Sequence, residues 1–304
     1  MELVNATHLL KLPFDKRIAN DTARLIQDLI FSNYLAILEN QLSSIFPSTN
    51  SYCFVATEKN KVIGFLTIKP VNRRGTCWSI NQPIILELSE YHSSNEIKSI
   101  LIRESFKQIS GKALNWVIRC EAADTSGISV VREMGFQPLA LYKHWSFVIE
   151  KKEIERIKED ESLPSYTSWQ SLTKRNALEL FKLEQVSESV LMRKIYDRQP
   201  SDLFQSSNAN SGILITNENN DYSSIAGLIN VSTSLSSSCL RIVRDVAWDN
   251  RISKALPILL PRLNSVSEGF IVETQSQDVK LNNLLQEIGL EEDSETLLLG
   301  KTLL

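Results

Sequence analysis

A chain of 304 residues, 42% of them hydrophobic, is long enough for two globular domains that each bury a core. A formal charge of −3 and a pI of 5.8 exclude a global electrostatic pull toward nucleic acid or acidic membrane, and small or neutral partners are expected. No apolar run is long enough to cross a bilayer and the start carries no basic leader, so the expectation is a cytoplasmic protein without a membrane or nucleic-acid partner.

Leu3–Leu12 reads as an opening strand. Asp21 through Leu42 reads as a helix capped by Asp21, with Leu25, Leu29, Ile30, Ile37 and Leu38 facing a core. Tyr52–Thr57, the turn Glu58-Lys59-Asn60-Lys61 and Val62–Val71 predict an antiparallel hairpin, and a strand over Thr76–Leu88 follows the charged Arg73-Arg74-Gly75 turn. Asn95–Ile109 places Ile102, Phe106 and Ile109 at helical spacing, with Asn95 as cap and Gly111 as stop. A strand Trp116–Cys120, a helix Thr125–Met134 capped by Asp124, and a strand Leu139–Ile149 follow. Strand and helix alternation of this kind predicts an α/β sheet covered by helices on more than one side.

The dense charge run Lys151–Glu161, followed by Leu163-Pro164-Ser165, reads as a connector, which puts a first domain at 1–150, a linker at 151–164 and a second domain at 165–304. The second domain repeats the plan. Helices fall within Leu172–Arg198, and strands near Ile213–Thr216, Ile225–Ser232 and Leu240–Ala247. A helical run after Asp249, which Pro257 and Pro261 are expected to kink or shorten, leads to a strand Phe270–Thr274, a helix Val279–Ile288 and a strand Thr296–Leu304. Polar tracts at 206–212 and 233–238 read as loops. Cys53, Cys77, Cys120 and Cys239 are scattered in apolar segments and form no ligand string with His8, His92 or His144, so they read as buried thiols in a reducing compartment, with no metal site.

Two stretches share one grammar: Asp124 through Gly135-Phe136, and Asp278 through Gly289-Leu290, each a short helix stopped by glycine before an apolar strand. Both the aspartates and the glycines lie 154 residues apart, which points to a duplicated domain. These residues resemble the GCN5-related N-acetyltransferase (GNAT) family, in two successive copies covering most of the chain. The resemblance implies two tandem α/β domains, each a mixed, mostly antiparallel sheet flanked by helices, with acetyl-CoA or another acyl-CoA as cofactor. Val131 and Leu285 stand where the family often has a tyrosine that protonates the departing thiolate, and neither has an exchangeable proton.

In the family a glycine-rich turn and helix hold the cofactor's pyrophosphate. Here Glu96 and Lys98 occupy the glycine places of the first copy, and Arg251 and Ser253 those of the second. The cofactor-binding residues so implied are Leu88, Ser94, Asn95, Lys98 and Asp124 in the first copy, and Arg251, Ser253 and Lys254 in the second, where side chains replace the backbone cradle. Glu87, late in the strand before the first turn, resembles the acidic general base of some members; it also reads as an outward residue of an alternating strand. Tyr91 and His92 in the next turn offer a thiolate donor and a proton relay, or simply loop packing. Asp245 and Asp249 border the second turn as caps.

The expected function is acyl-CoA-dependent N-acylation of a small amine or a peptide amino group, with one active site in residues 1–150 and the second copy walling the acceptor cleft. The competing expectation is a noncatalytic ligand-binding or protein-interaction module built from a duplicated acetyltransferase fold. Homodimerisation through an exposed sheet or groove is open to the chain.

Overall fold

The computed structural model describes residues 2–5, 52–58, 61–86, 88–109, 111, 113–147, 162–204, 210–218, 221–231, 239–266 and 271–303. The expected helix after Asp21, Glu87, the run Lys151–Glu161 and the tract 233–238 lie outside them. No helix of the described residues is long and apolar enough to cross a membrane.

The first half supplies strands β1 (Glu2–Asn5), β2 (Tyr52–Glu58), β3 (Lys61–Pro70), β4 (Cys77–Ile80), β5 (Ile84–Ile85), β6 (Asn115–Glu121) and β7 (Gln137–Phe147), with helices α1 (Ser94–Ile109) and α2 (Thr125–Glu133). The second half supplies β8 (Thr167–Ser171), α3 (Ala177–Ser187), α4 (Val190–Tyr196), β9 (Gly212–Glu218), β10 (Asp221–Val231), β11 (Cys239–Arg244), α5 (Asn250–Val266), β12 (Ile271–Gln275), α6 (Val279–Glu287) and β13 (Leu290–Thr302).

All thirteen strands join one sheet, in the order β1-β2-β3-β4-β6-β13-β7-β12-β11-β10-β9-β8, with β5 against β3. Pairing is antiparallel except for two parallel contacts, β4 with β6 and β11 with β12. Two tandem α/β units are thus present, but they are not closed separately. Each half completes its sheet with the other's last strand: β13 pairs with β6, and β7 pairs with β12.

The register shows an internal twofold. Glu121 faces Thr296 and Tyr142 faces Gln275, two pairs that interchange under the 154-residue repeat. Between β7 and β13, Tyr142 faces Thr296, its own repeat equivalent, so the pseudo-axis passes through that pair. The cores carry the same exchange. Leu299 of β13 is packed with Trp78, Leu101, Trp116 and Phe136 of the first half. Its equivalent Trp145, of β7, is packed with Leu256, Val272, Leu281 and Leu285 of the second. Helices α1, α2, α5 and α6 cover this face of the sheet, whereas α3 and α4 cover the other, over Val243 and over Tyr142 and Leu298.

Local sequence explains most elements. The N-terminus of α1 is a capping box in which Ser93 Oγ accepts the Glu96 amide (3.3 Å) and the Glu96 carboxylate accepts the Ser93 amide (2.7 Å). Asn95, expected as the cap, instead accepts from Ser126 Oγ (3.1 Å), because the helix begins one residue earlier at Ser94. The strand expected over Thr76–Leu88 is split into β4 and β5. The Asn81 amide and side chain both bond Thr67, and Pro83 has no N–H to continue a ladder.

The shortening expected at Pro257 and Pro261 is corrected: α5 runs from Asn250 to Val266 with both prolines inside it. An interior proline costs about 3 kcal/mol. Of its described side chains, seven apolar ones besides the prolines are buried, Ile252, Ala255, Leu256, Ile258, Leu259, Leu260 and Leu263, each larger one contributing about 1.5–3 kcal/mol. Burial therefore outweighs two lost backbone bonds.

The repeat grammar survives in detail. Asp124 accepts the Gly127 amide and Asp278 the Leu281 amide with matching backbone angles, and the stop glycines Gly135 and Gly289 have φ of +87° and +89°. No atom lies within 4 Å of a Cβ added at Gly289, so Gly289→Ala tests backbone conformation alone. It is expected to destabilise the chain by about 1–2 kcal/mol, read as a lower urea midpoint at unchanged slope.

Candidate functional site

A parallel pair whose strands part at their C-terminal ends leaves a fork in the sheet, and helices that begin there aim amides and capping carboxylates into it. This chain has two such forks. In the first, beyond Ile80 of β4 and Ile118 of β6, the cap Asp124 binds the Gly127 amide (2.8 Å) and is bridged by the Gln82 amide group, with Lys98 Nζ 4.0 Å away. In the second, beyond Arg241 of β11 and Glu273 of β12, the cap Asp278 takes a two-pronged bond from Arg244, at 2.8 Å on each side.

The structure distributes the first-half candidates unevenly. Lys98 and Asp124 meet at the fork, and Asn95 reaches it through Ser126 of α2. Ser94 opens α1, whose first turn is occupied by the Glu96 carboxylate, held below its usual range by bonds from the Ser93 amide and hydroxyl. Leu88 and Tyr91 point outward, 88% and 65% exposed. The amides of Tyr91 and His92 both donate to Ser89 Oγ, and His92 Nδ1 lies 3.9 Å from Glu96. Val131 and Leu285, at the family tyrosine's place, are core residues at 2% and 0% exposure.

In the second half, α5 starts on the helix-rich face of the fork. Its first turn holds Arg251, Ser253 and Lys254, as the sequence reading placed them. Asp249 accepts the Arg251 amide (2.8 Å) and is clasped by the Arg251 guanidinium at 2.6–3.1 Å, whose hydrogen bond holds that carboxyl low. Asp249 and Arg251 pair there, and Lys254 of the same turn is exposed.

On the opposite face, beside α3, a cavity of about 390 Å³ opens in the same fork, in the size range of small-molecule sites. Arg241, Arg244, Asp245, Gln275, Asp278 and Lys280 give it polar walls. None of these was among the binding residues expected from sequence. The signal that could have found the floor is Arg241, a charge in the apolar strand Cys-Leu-Arg-Ile-Val.

Behind the cavity floor lies a buried charge network. Arg241 donates from Nε to Glu273 (2.6 Å) and from Nη1 to Glu188 (2.8 Å), and Arg119 pairs with Glu273 from the other side. Arg119 and Glu273 are repeat equivalents, 154 residues apart, so one position of the duplicated unit carries opposite charges in its two copies and the fold joins them. The Tyr142 ring lies within cation–π range of both guanidiniums, 5.0 Å from Arg119 and 4.4 Å from Arg241. Its hydroxyl donates to Glu188 (3.3 Å), as does the Gln275 amide (3.2 Å). Burial pushes the Glu273 carboxyl up, yet Arg119 and Arg241 outweigh it and hold the group well below the carboxylate range. At Glu188 burial wins over Arg241 and the carboxyl is raised.

His144, Cys239 and Glu273 bring ligand-type atoms within 4.8 Å of one another. That set does not suit a cation, because both Glu273 oxygens already face guanidiniums and burial pushes the Cys239 thiol up, keeping it protonated. Cys77 and Cys120 are likewise buried free thiols, each raised to about 12 by burial.

No protein-family model matches the chain, and no curated protein matches it in sequence. Solved structures do match in fold. A GCN5-related N-acetyltransferase from Sphaerobacter thermophilus is 10% identical over 99% of this chain and 95% of its own, with a TM-score of 0.56. A tandem GNAT protein from the clavulanic acid biosynthesis pathway is 11% identical over 83% of each chain, at 0.52. A Drosophila protein is 12% identical over 98% of this chain and 95% of its own, at 0.54. At such identities the likeness is one of fold.

Proposed function

From a chain that carries the GNAT fold in tandem, we propose an acyl-CoA-dependent N-acyltransferase whose working fork is that of the second half, acting on a small amine or a peptide amino group. The observation that carries this reading is the polar cavity opening through the β11–β12 fork on the face opposite α5. Cofactor and acceptor would thereby approach one point from two sides of the sheet. The resemblance read from the sequence points to the first half, but its fork is crossed by Gln82 and its helix start carries the Glu96 carboxylate, both unfavourable to a phosphate.

The second-half residues fit such a cofactor better. Arg251, Ser253 and Lys254 on the first turn of α5 would hold the phosphates, with Asp249 neutralised by Arg251. When bound, acyl-CoA supplies the activated thioester. The chain's part is to seat the amine in the cavity, with Asp245 at its mouth to accept a proton-bearing nitrogen, and to exclude water from the fork. Glu87, Tyr91 and His92 are the proton-handling candidates of the first half.

A noncatalytic ligand-binding module is the second reading, favoured by the Glu96 carboxylate in the first turn of α1, by Asp249 just ahead of α5, and by the apolar Val131 and Leu285. Calorimetric titration of the whole chain with acetyl-CoA separates the two. One saturable site is expected, weakened at least tenfold by Lys254→Glu and unchanged by Lys98→Glu. A folded chain that takes up no acetyl-CoA would leave only the binding module.

A further inference from the structure

We infer that the second-half cavity reads a carboxylate, and that its ligand is a small carboxylate-bearing amine with an aliphatic body. That this ligand is also the acyl acceptor rests on the acyltransferase reading.

The anchor is Arg241. It is 4% exposed, yet it lines the cavity. Its Nε is committed to Glu273 and its Nη1 to Glu188, which among the described residues leaves Nη2 as the donor for whatever enters. Of the other polar groups of the wall, Lys280 is exposed, with Nζ 5.9 Å from the centre of the Trp248 ring, and Gln275 and Arg244 are already bonded within the protein. Gln275 spends its amide nitrogen on Glu188 and on the Ser187 carbonyl, and its oxygen accepts from Gln277 (2.8 Å). Arg244 and Asp278 satisfy each other. A guanidinium edge held rigid by two carboxylates suits a planar monoanion; a phosphate dianion would be repelled by Glu188 and Glu273 just behind it.

The mouth has the opposite chemistry. Asp245 is exposed there, with Oδ1 taken by the Ala247 amide (2.9 Å) and Oδ2 left for a cationic nitrogen. Val186, Val246 and Val279 also line the cavity and remain 45%, 75% and 62% exposed. Three solvent-exposed valines around one polar cavity are the complement of a short aliphatic body. Acid at the floor, amine at the mouth and branched carbon along the wall describe an aliphatic amino acid.

The test uses the whole folded chain without any coenzyme A, titrated by calorimetry with L-leucine, 3-methylbutylamine, which lacks the carboxylate, and 4-methylpentanoate, which lacks the amine. L-leucine is expected to bind saturably, and removal of the carboxylate to weaken binding about tenfold or more. Removal of the amine weakens it less, and Asp245→Asn, an exposed change, abolishes the difference between L-leucine and 4-methylpentanoate. Equal binding of all three probes, or none of L-leucine by the folded chain, overturns the inference. In a second assay with acetyl-CoA added, L-leucine binding without acetyl transfer supports the pocket and sinks the acyltransferase reading, whereas transfer to 3-methylbutylamine but not to L-leucine does the reverse.

Discussion

Ending the chain after Gly289, so that β13 is never made, is expected to unfold both halves and not the second alone. In a pair of self-contained domains the loss of a last strand would leave the first intact. Here β13 is hydrogen-bonded along Asn115–Glu121 of β6 and along most of β7. Leu298 and Leu299, both 0% exposed, fill opposite faces of the sheet, Leu299 in the first-half core and Leu298 beside Cys77, Tyr142 and Ile195. Two buried leucines are worth about 3–6 kcal/mol together, before the loss of two strand ladders, against a typical domain stability of about 5–15 kcal/mol. Circular dichroism and urea titration of the shortened chain check this. A cooperative transition with Trp78 and Trp116 still shielded would show that the first half stands without its borrowed strand.

Replacing Glu273 by glutamine is expected to cost about 3–5 kcal/mol, the range for removing one partner of a buried ion pair. Glu273 is 0% exposed and faces two guanidiniums, those of Arg119 and Arg241, which the amide leaves uncompensated. The same residue sets an acid limit. Its carboxyl is depressed in the folded chain, so its contribution is present above the ordinary value of 4.5 and is lost as pH falls through the depressed folded value. Glu188 acts in the opposite sense, since its raised carboxyl favours the fold most below 4.5 and that contribution is lost as pH rises through the raised value. Urea midpoints at pH 7 and pH 3 are expected to differ less in Glu273→Gln than in the parent chain. An equal acid loss in both would place the sensitivity elsewhere.

The local grammar of the duplication was readable from residue order alone. An aspartate cap bonds an amide three residues on, and a glycine stop needs only its own φ, so Asp124, Gly135, Asp278 and Gly289 behave as their neighbours dictate. The hairpin of β2 and β3 and the order of helices and strands follow from short-range periodicity in the same way. Partner choice does not. The apolar run within Thr296–Leu304 says that a strand will form, but β6 offered β7 and β13 similar edges, and long-range packing of Leu299 and Trp145 chose the exchange. Proline positions argued for a kinked or shortened α5 because propensity counts one residue at a time, while seven buried side chains acted together to keep the helix at full length. The cavity floor was hidden for a related reason. Arg241 is an ordinary strand residue until Glu188 and Glu273, 53 and 32 positions away, fix two of its nitrogens, and neither charge pairing nor the leftover donor exists before the sheet closes.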